Sequence, residues 1–110
     1  MSTATFNDPS VWYHVVLAYD VTQSTSTNRL KLYVNNALVS LGGGGSYWPN
    51  GSDTTVNTTT THFFGKRSDN QFYFNGYLSD IYFIDGQQLT PSAFAQSGAT
   101  VGQWVPKAYA

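Results

Sequence analysis

The sequence predicts an all-β chain of short antiparallel strands, and three observations carry that prediction. Runs such as Trp12-Tyr13-His14-Val15-Val16-Leu17-Ala18-Tyr19 and Tyr77-Leu78-Ser79-Asp80-Ile81-Tyr82-Phe83 are rich in aromatic and β-branched residues, which fit a pleated, half-buried surface. Each run is bounded by Gly, Asn, Asp, Ser or Pro, the residues that punctuate strands. Apolar positions recur at the strand period of two, and no long stretch repeats at the helical period.

Taken in order, residues 1–6 read as a short terminal strand that ends at Asn7-Asp8-Pro9-Ser10, where Pro fixes φ and Asp and Ser supply local hydrogen bonds for a turn. Trp12 to Asp20 carries apolar groups on both phases, Tyr13, Val15, Leu17 and Tyr19 on one and Trp12, Val16 and Ala18 on the other. A central strand covered on both faces is expected there. Val21 to Asn28 is a polar loop. Arg29 to Asn35 alternates, with Leu30, Leu32 and Val34 inward and Arg29, Lys31 and Tyr33 outward. Asn35-Asn36 then separates two apolar runs, and Asn tolerates the positive φ that a two-residue hairpin turn demands.

Gly42 to Ser46, Gly-Gly-Gly-Gly-Ser, has too much backbone freedom for regular structure and reads either as a natural Gly-rich loop or as an engineered linker. Tyr47-Trp48-Pro49-Asn50-Gly51-Ser52-Asp53 is a loop tip with two aromatic rings, and Thr54 to Thr61 is a Thr-rich strand candidate. The stretch from Thr61 to Phe94 is expected to organise the fold as two strands and a capped helical turn. In its second run Phe74, Gly76 and Leu78 share a phase that Ile81 and Phe83 do not. A β-bulge near Ser79-Asp80 would place Leu78, Ile81 and Phe83 on one core face, and Gly76 would admit a neighbouring backbone or ring. Thr90 is placed to cap a short helix over 91–96 with Pro91 at its first position. Gly98 to Gly102 frees the chain, Gln103 to Val105 returns as an edge segment stopped by Pro106, and Trp104 packs down as an anchor.

At 110 residues the chain is expected to form a single domain spanning 1–110, with one modest core. Ten per cent of residues are charged and the net charge is −1, so the electrostatic footprint of a nucleic-acid partner is absent. There is no Cys, hence neither a disulfide framework nor a thiolate metal site. Met1 to Thr5 lacks the basic region and apolar core of a secretory signal, and no apolar run approaches the roughly 20 residues that span a bilayer.

Catalytic constellations are missing. Glycoside hydrolysis needs a pair of carboxyl groups, roughly 5 to 5.5 Å apart for retention and further for inversion. The chain has no Glu, and of its Asp8, Asp20, Asp53, Asp69, Asp80 and Asp85 no two lie at the same-face spacing of one strand, Asp80 and Asp85 falling on opposite phases unless the bulge intervenes. Serines lack a Gly-x-Ser-x-Gly elbow, and His14 and His62 are too few for a His-based metal centre. No enzyme and no cofactor are expected. The one metal left open is calcium, on the loop oxygens of Asp53, Asp69 and Asn70. The sequons at Asn50 and Asn57 are expected by chance in so Thr-rich a chain. The candidate ligand-binding set is Tyr47 and Trp48, as rings that stack on a sugar face, with Asn50, Asp53 and Asp69 as hydrogen-bonding groups. The competing reading buries those rings in the core or in a subunit interface, where Tyr and Trp are enriched.

The order Phe74-x-Gly76-x-Leu78-x-Asp80-Ile81-x-Phe83, followed by Leu89-Thr90-Pro91, resembles the closing strands of laminin G-like, concanavalin A-like jelly rolls. More narrowly, Asp8-Pro9-Ser10-Val11-Trp12-Tyr13-His14, Phe83-Ile84-Asp85-Gly86-Gln87-Gln88-Leu89-Thr90-Pro91 and Trp104-Val105-Pro106-Lys107-Ala108-Tyr109 resemble the laminin G-like domains of tailed-phage structural proteins, especially from marine phages. The resemblance covers nearly the whole chain. It implies an antiparallel β-sandwich of jelly-roll type, and a non-enzymatic module of a virion: a capsid or tail decoration, or a host-attachment component. The family usually has a comparable length of sheet before the equivalent of Phe6, so a sandwich truncated on its amino-terminal side is expected. That in turn implies closure by a homo-oligomer or another virion protein, with a cell-surface glycan as a further partner. A free carbohydrate-binding lectin is the alternative.

Overall fold

The computed structural model describes residues 5–41, 49–51, 58–100 and 102–109. Those residues form five short strands in two antiparallel sheets, and their only helical segments are two three-residue 3-10 turns. The described residues are therefore β-rich without a long helix. The chain divides into two compact units, one made of Met1–Ser52 with Gln87–Ala110 and the other of Asp53–Gly86.

In the first unit, β1 (Val15–Tyr19), β2 (Leu30–Val34) and β3 (Ala37–Val39) form a sheet in that order. The turn between β2 and β3 is the two-residue hairpin that the sequence predicts. Asn35 and Asn36 have φ of 49° and 69°, the doubly positive pair that matches the right-handed twist of the strands. The turn sets the register: Val34 faces Ala37, Leu32 faces Val39, and across β1 Leu17 faces Leu32 while Val16 faces Tyr33. Val15, Leu17, Leu32, Val34 and Val39 accordingly share one face, and Val16, Ala18, Tyr33 and Leu38 the other.

β1 departs from the sequence expectation. It lies at the edge of this sheet, not its centre. Val16 and Ala18 are buried, but Val15 and Leu17 on the other phase are 58% and 65% exposed. An apolar run on both phases shows what a strand could bury, and whether both faces are covered depends on neighbours the run does not encode.

The loop from Asp20 to Arg29 is held by its two ends. Asp20 Oδ1 accepts from the amide and hydroxyl of Thr22 at 2.9 and 2.6 Å, and its other oxygen accepts from Gln23 Nε2 at 2.9 Å. The Arg29 guanidinium donates to the carbonyls of Gln23 and Ser24. Asp8 builds the same kind of side-chain turn ahead of β1, accepting from the amide and hydroxyl of Ser10. Thr5 to Asn7, where the described residues begin, forms no strand.

The 3-10 turn Pro91–Ala93 leads into β4 (Ala95–Ser97), which pairs antiparallel with β5 (Trp104–Pro106). The helix expected over 91–96 is thus confined to Pro91–Ala93. The Phe94 amide closes on the Pro91 carbonyl at 3.0 Å, and Ala95 onward is drawn into the strand pair. Thr90 stands at the cap position without capping through its side chain; its hydroxyl lies 3.1 Å from that of Ser92 instead. Pro106 does not end the pairing, because the next amide, Lys107, donates to the Phe94 carbonyl at 2.8 Å. Phe94 and Tyr109 stack across this hairpin with ring centroids 5.4 Å apart.

The second unit corrects the central expectation of the sequence. Among its described residues no strand forms. Gly65 and Phe74 close a hairpin, the Phe74 amide donating to the Gly65 carbonyl at 2.6 Å, with a tip in which the Asn70 amide donates to Arg67 and the Arg67 amide to Gln71. Asn70 sits at φ 60°, the left-handed position of a three-residue hairpin loop. The backbone then leaves the extended region at Phe72 (φ 55°) and at Asp80 (φ 53°). The break at Asp80 falls where a bulge is expected, but it interrupts no ladder, and Leu78, Ile81 and Phe83 are 55%, 50% and 56% exposed. Strand composition alone does not hold a strand; a lone two-stranded ribbon is marginal in water. Gly76 does receive a ring, since a Cβ there would meet the ring of Phe74 at 2.9 Å.

Candidate functional site

Of the residues singled out as ligand-binding, Asn50 and Asp69 are among the described residues. Tyr47, Trp48 and Asp53 lie outside the described residues, as do the Gly42 to Ser46 run and Asn57. Asn50 belongs to the first unit and Asp69 to the second. Asn50 sits in an exposed turn where Nδ2 donates to the Gln23 carbonyl at 3.2 Å, and the following Gly51 amide donates to Val21 at 2.9 Å. Its side-chain amide pins one loop to another.

Asp69 is engaged too. It accepts from the guanidinium of Arg67 through Nε at 3.0 Å and through Nη2, and from the Gln71 amide at 3.2 Å. The Arg67 guanidinium, first, and the Gln71 amide hold its carboxyl below the usual carboxylate range. Asn70 Oδ1 accepts from Lys66 Nζ at 2.6 Å. Of the three residues offered for calcium, Asp53 lies outside the described residues, while Asp69 and Asn70 face cations of the chain itself; among the described residues no three acidic or His side chains gather into a metal cluster. Lys66 and Arg67 are the residues that sequence reasoning missed at this tip. Each also lies over a ring, Lys66 Nζ 4.3 Å from the centroid of Phe63 and Arg67 Cζ 4.7 Å from that of Phe72, a contact worth about 0.5 to 1 kcal/mol at an exposed site. The spacing Phe63-x-x-Lys66-Arg67-x-x-x-x-Phe72 was the available signal.

The dominant feature of the surface is apolar. Among the described residues five hydrophobic side chains are buried, Val16, Ala18, Val34, Val39 and Ala95, whereas sixteen large ones are exposed. Ten of the sixteen belong to the second unit, from Phe63 to Phe83, and Tyr77 is the most exposed at 86%. In the first unit the exposed set includes Val15 and Leu17 on one sheet face and Leu38 on the other. An open hollow of about 330 Å³ beside β2 and β3 is lined by Leu30, Lys31, Leu38, Val39 and Leu41 together with Thr27, Asn28 and Ser40; Asn50 is not among these lining residues.

What this arrangement can do is present apolar surface. No described helix is long and apolar enough to cross a membrane. Compared with known proteins, the chain matches no family model, no curated protein and no solved structure.

Proposed function

We propose that the chain is a non-enzymatic, laminin G-like module of a phage particle, a capsid or tail decoration or a host-attachment component, that works through protein–protein contact with copies of itself or with another virion protein. One observation carries this reading: among the described residues sixteen large hydrophobic side chains are exposed, whereas the buried hydrophobic ones are Val16, Val34 and Val39 with the small Ala18 and Ala95. Contiguous apolar surface beyond a few hundred Å² marks interaction sites, and a net charge of −1 leaves little to oppose association. The antiparallel β1–β2–β3 meander and the β4–β5 pair are compatible with two layers of a jelly-roll sandwich, which closes when the partner supplies the missing cover.

A free lectin is the second reading, favoured by the exposed phenol rings of Tyr73 and Tyr77 and by Tyr47 and Trp48 in the Gly-flanked loop, since rings of this kind stack on sugar faces. A glycan array separates the two. Silence across the array together with self-association supports the particle module; a micromolar hit abolished by Trp48→Ala supports the lectin.

A further inference from the structure

The contact between His14 and Trp104 spans ninety positions of the chain and joins the entry to β1 with β5. Trp104 Nε1 lies 3.1 Å from His14 Nδ1, and the two rings are tilted at 60° with centroids 6.3 Å apart. An indole N–H can only donate. His14 Nδ1 must therefore accept, so the imidazole is neutral and carries its proton on Nε2. A proton added to Nδ1 would set two N–H groups against each other at hydrogen-bond distance.

We propose that the Trp104–His14 bond is a proton-operated latch that holds the β4–β5 hairpin to the start of β1 while His14 is neutral and lets it go when His14 is protonated. The surroundings suit such a device. His14 is fixed by its backbone, its amide bonded to Asn35 Oδ1 and its carbonyl to the Asn35 amide, so protonation acts on the ring contact and leaves the strand in register. Both rings are half-buried. The titratable groups on the elements around the ring are Tyr13 beside it, Arg29, Lys31 and Tyr33 at and along β2, and Lys107 and Tyr109 after β5. None contributes a charge interaction to His14, whose pKa burial depresses below its ordinary value. Among the described residues no carboxylate contributes to His14, and protonation is answered by solvation, which requires the indole to move.

The test is an NMR titration of the full chain, following the imidazole of His14 and the indole N–H of Trp104 between about pH 7.5 and about pH 5. The latch predicts that the indole proton moves upfield and loses protection from exchange by about tenfold, with the midpoint of the His14 titration. In His14→Gln, where an amide oxygen accepts at every pH, the indole response to pH disappears. In Trp104→Phe the His14 midpoint rises toward the ordinary value. An indole that stays protected while His14 takes up its proton overturns the proposal, and so does a His14 midpoint unchanged in Trp104→Phe. The parent titration decides the matter even if either variant fails to fold.

Discussion

Asn35 and His14 bind each other reciprocally: the His14 amide donates to Asn35 Oδ1 at 2.9 Å, and the Asn35 amide donates to the His14 carbonyl at 2.8 Å. One side chain thus fastens the β2–β3 turn to the start of β1, while its neighbour Asn36 supplies positive φ without that bond. The two asparagines should separate on substitution. Asn36→Gly should be neutral or raise Tm, because Gly meets φ 69° without strain. Asn35→Gly should lose about 1 kcal/mol with the side-chain bond. Thermal melts of the two variants check this, and equal behaviour would break the assignment.

The core of the first unit and the expected core of the second should respond in opposite ways. Val34 and Val16 are 6% and 8% exposed, and truncation of either to Ala should destabilise by about 2 kcal/mol. Leu78→Ala and Ile81→Ala remove half-exposed side chains and should stay within about 0.5 kcal/mol. Urea denaturation of the four variants measures the contrast. A large loss at Leu78 or Ile81 would restore the buried strand that the sequence alone suggests.

That contrast also marks how far the sequence can be read. The Asn35-Asn36 hairpin was legible because the turn imposes a backbone conformation few residues accept, and the alternation of Leu30, Leu32 and Val34 is a local property of β2. Trp104 as an anchor was legible from its size; its partner His14 was not, because no local pattern links residues ninety positions apart. Phe72 to Asp85 has the composition of a strand, but a strand exists only when another pairs with it, and composition does not say which one does. At the candidate site, Asn50 and Asp69 were recognisable as loop residues. What their polar atoms bind depends on Gln23, Arg67 and Gln71, whose positions follow from the turns.

Acid should destabilise the chain in two windows. His14 is depressed by burial, so the unfolded chain binds its proton first; that stability is present above about pH 6.5 and is lost as pH falls from there through the folded value. Asp8, Asp20 and Asp69 are held low mainly by the Ser10 hydroxyl, the Thr22 hydroxyl and the Arg67 guanidinium respectively. Their contribution is present above about pH 4 and lost as pH falls through the folded values. Tm measured against pH should step down twice on acidification. His14→Gln should erase the upper step, and Asp20→Asn should shrink the lower.

Calcium should leave Tm unchanged at millimolar concentration, because Arg67 and Lys66 already occupy the oxygens of Asp69 and Asn70. Melts with calcium and with a chelator check this, and a calcium-dependent rise abolished by Asp69→Ala would show that the ion displaces Arg67.

Exposed Val15, Leu17 and the run from Phe63 to Phe83 are, on this account, surface made to be covered. Sedimentation velocity on the isolated chain across the micromolar range tests that most directly. The account predicts concentration-dependent assembly beyond the monomer; a compact monomer at every concentration would contradict it.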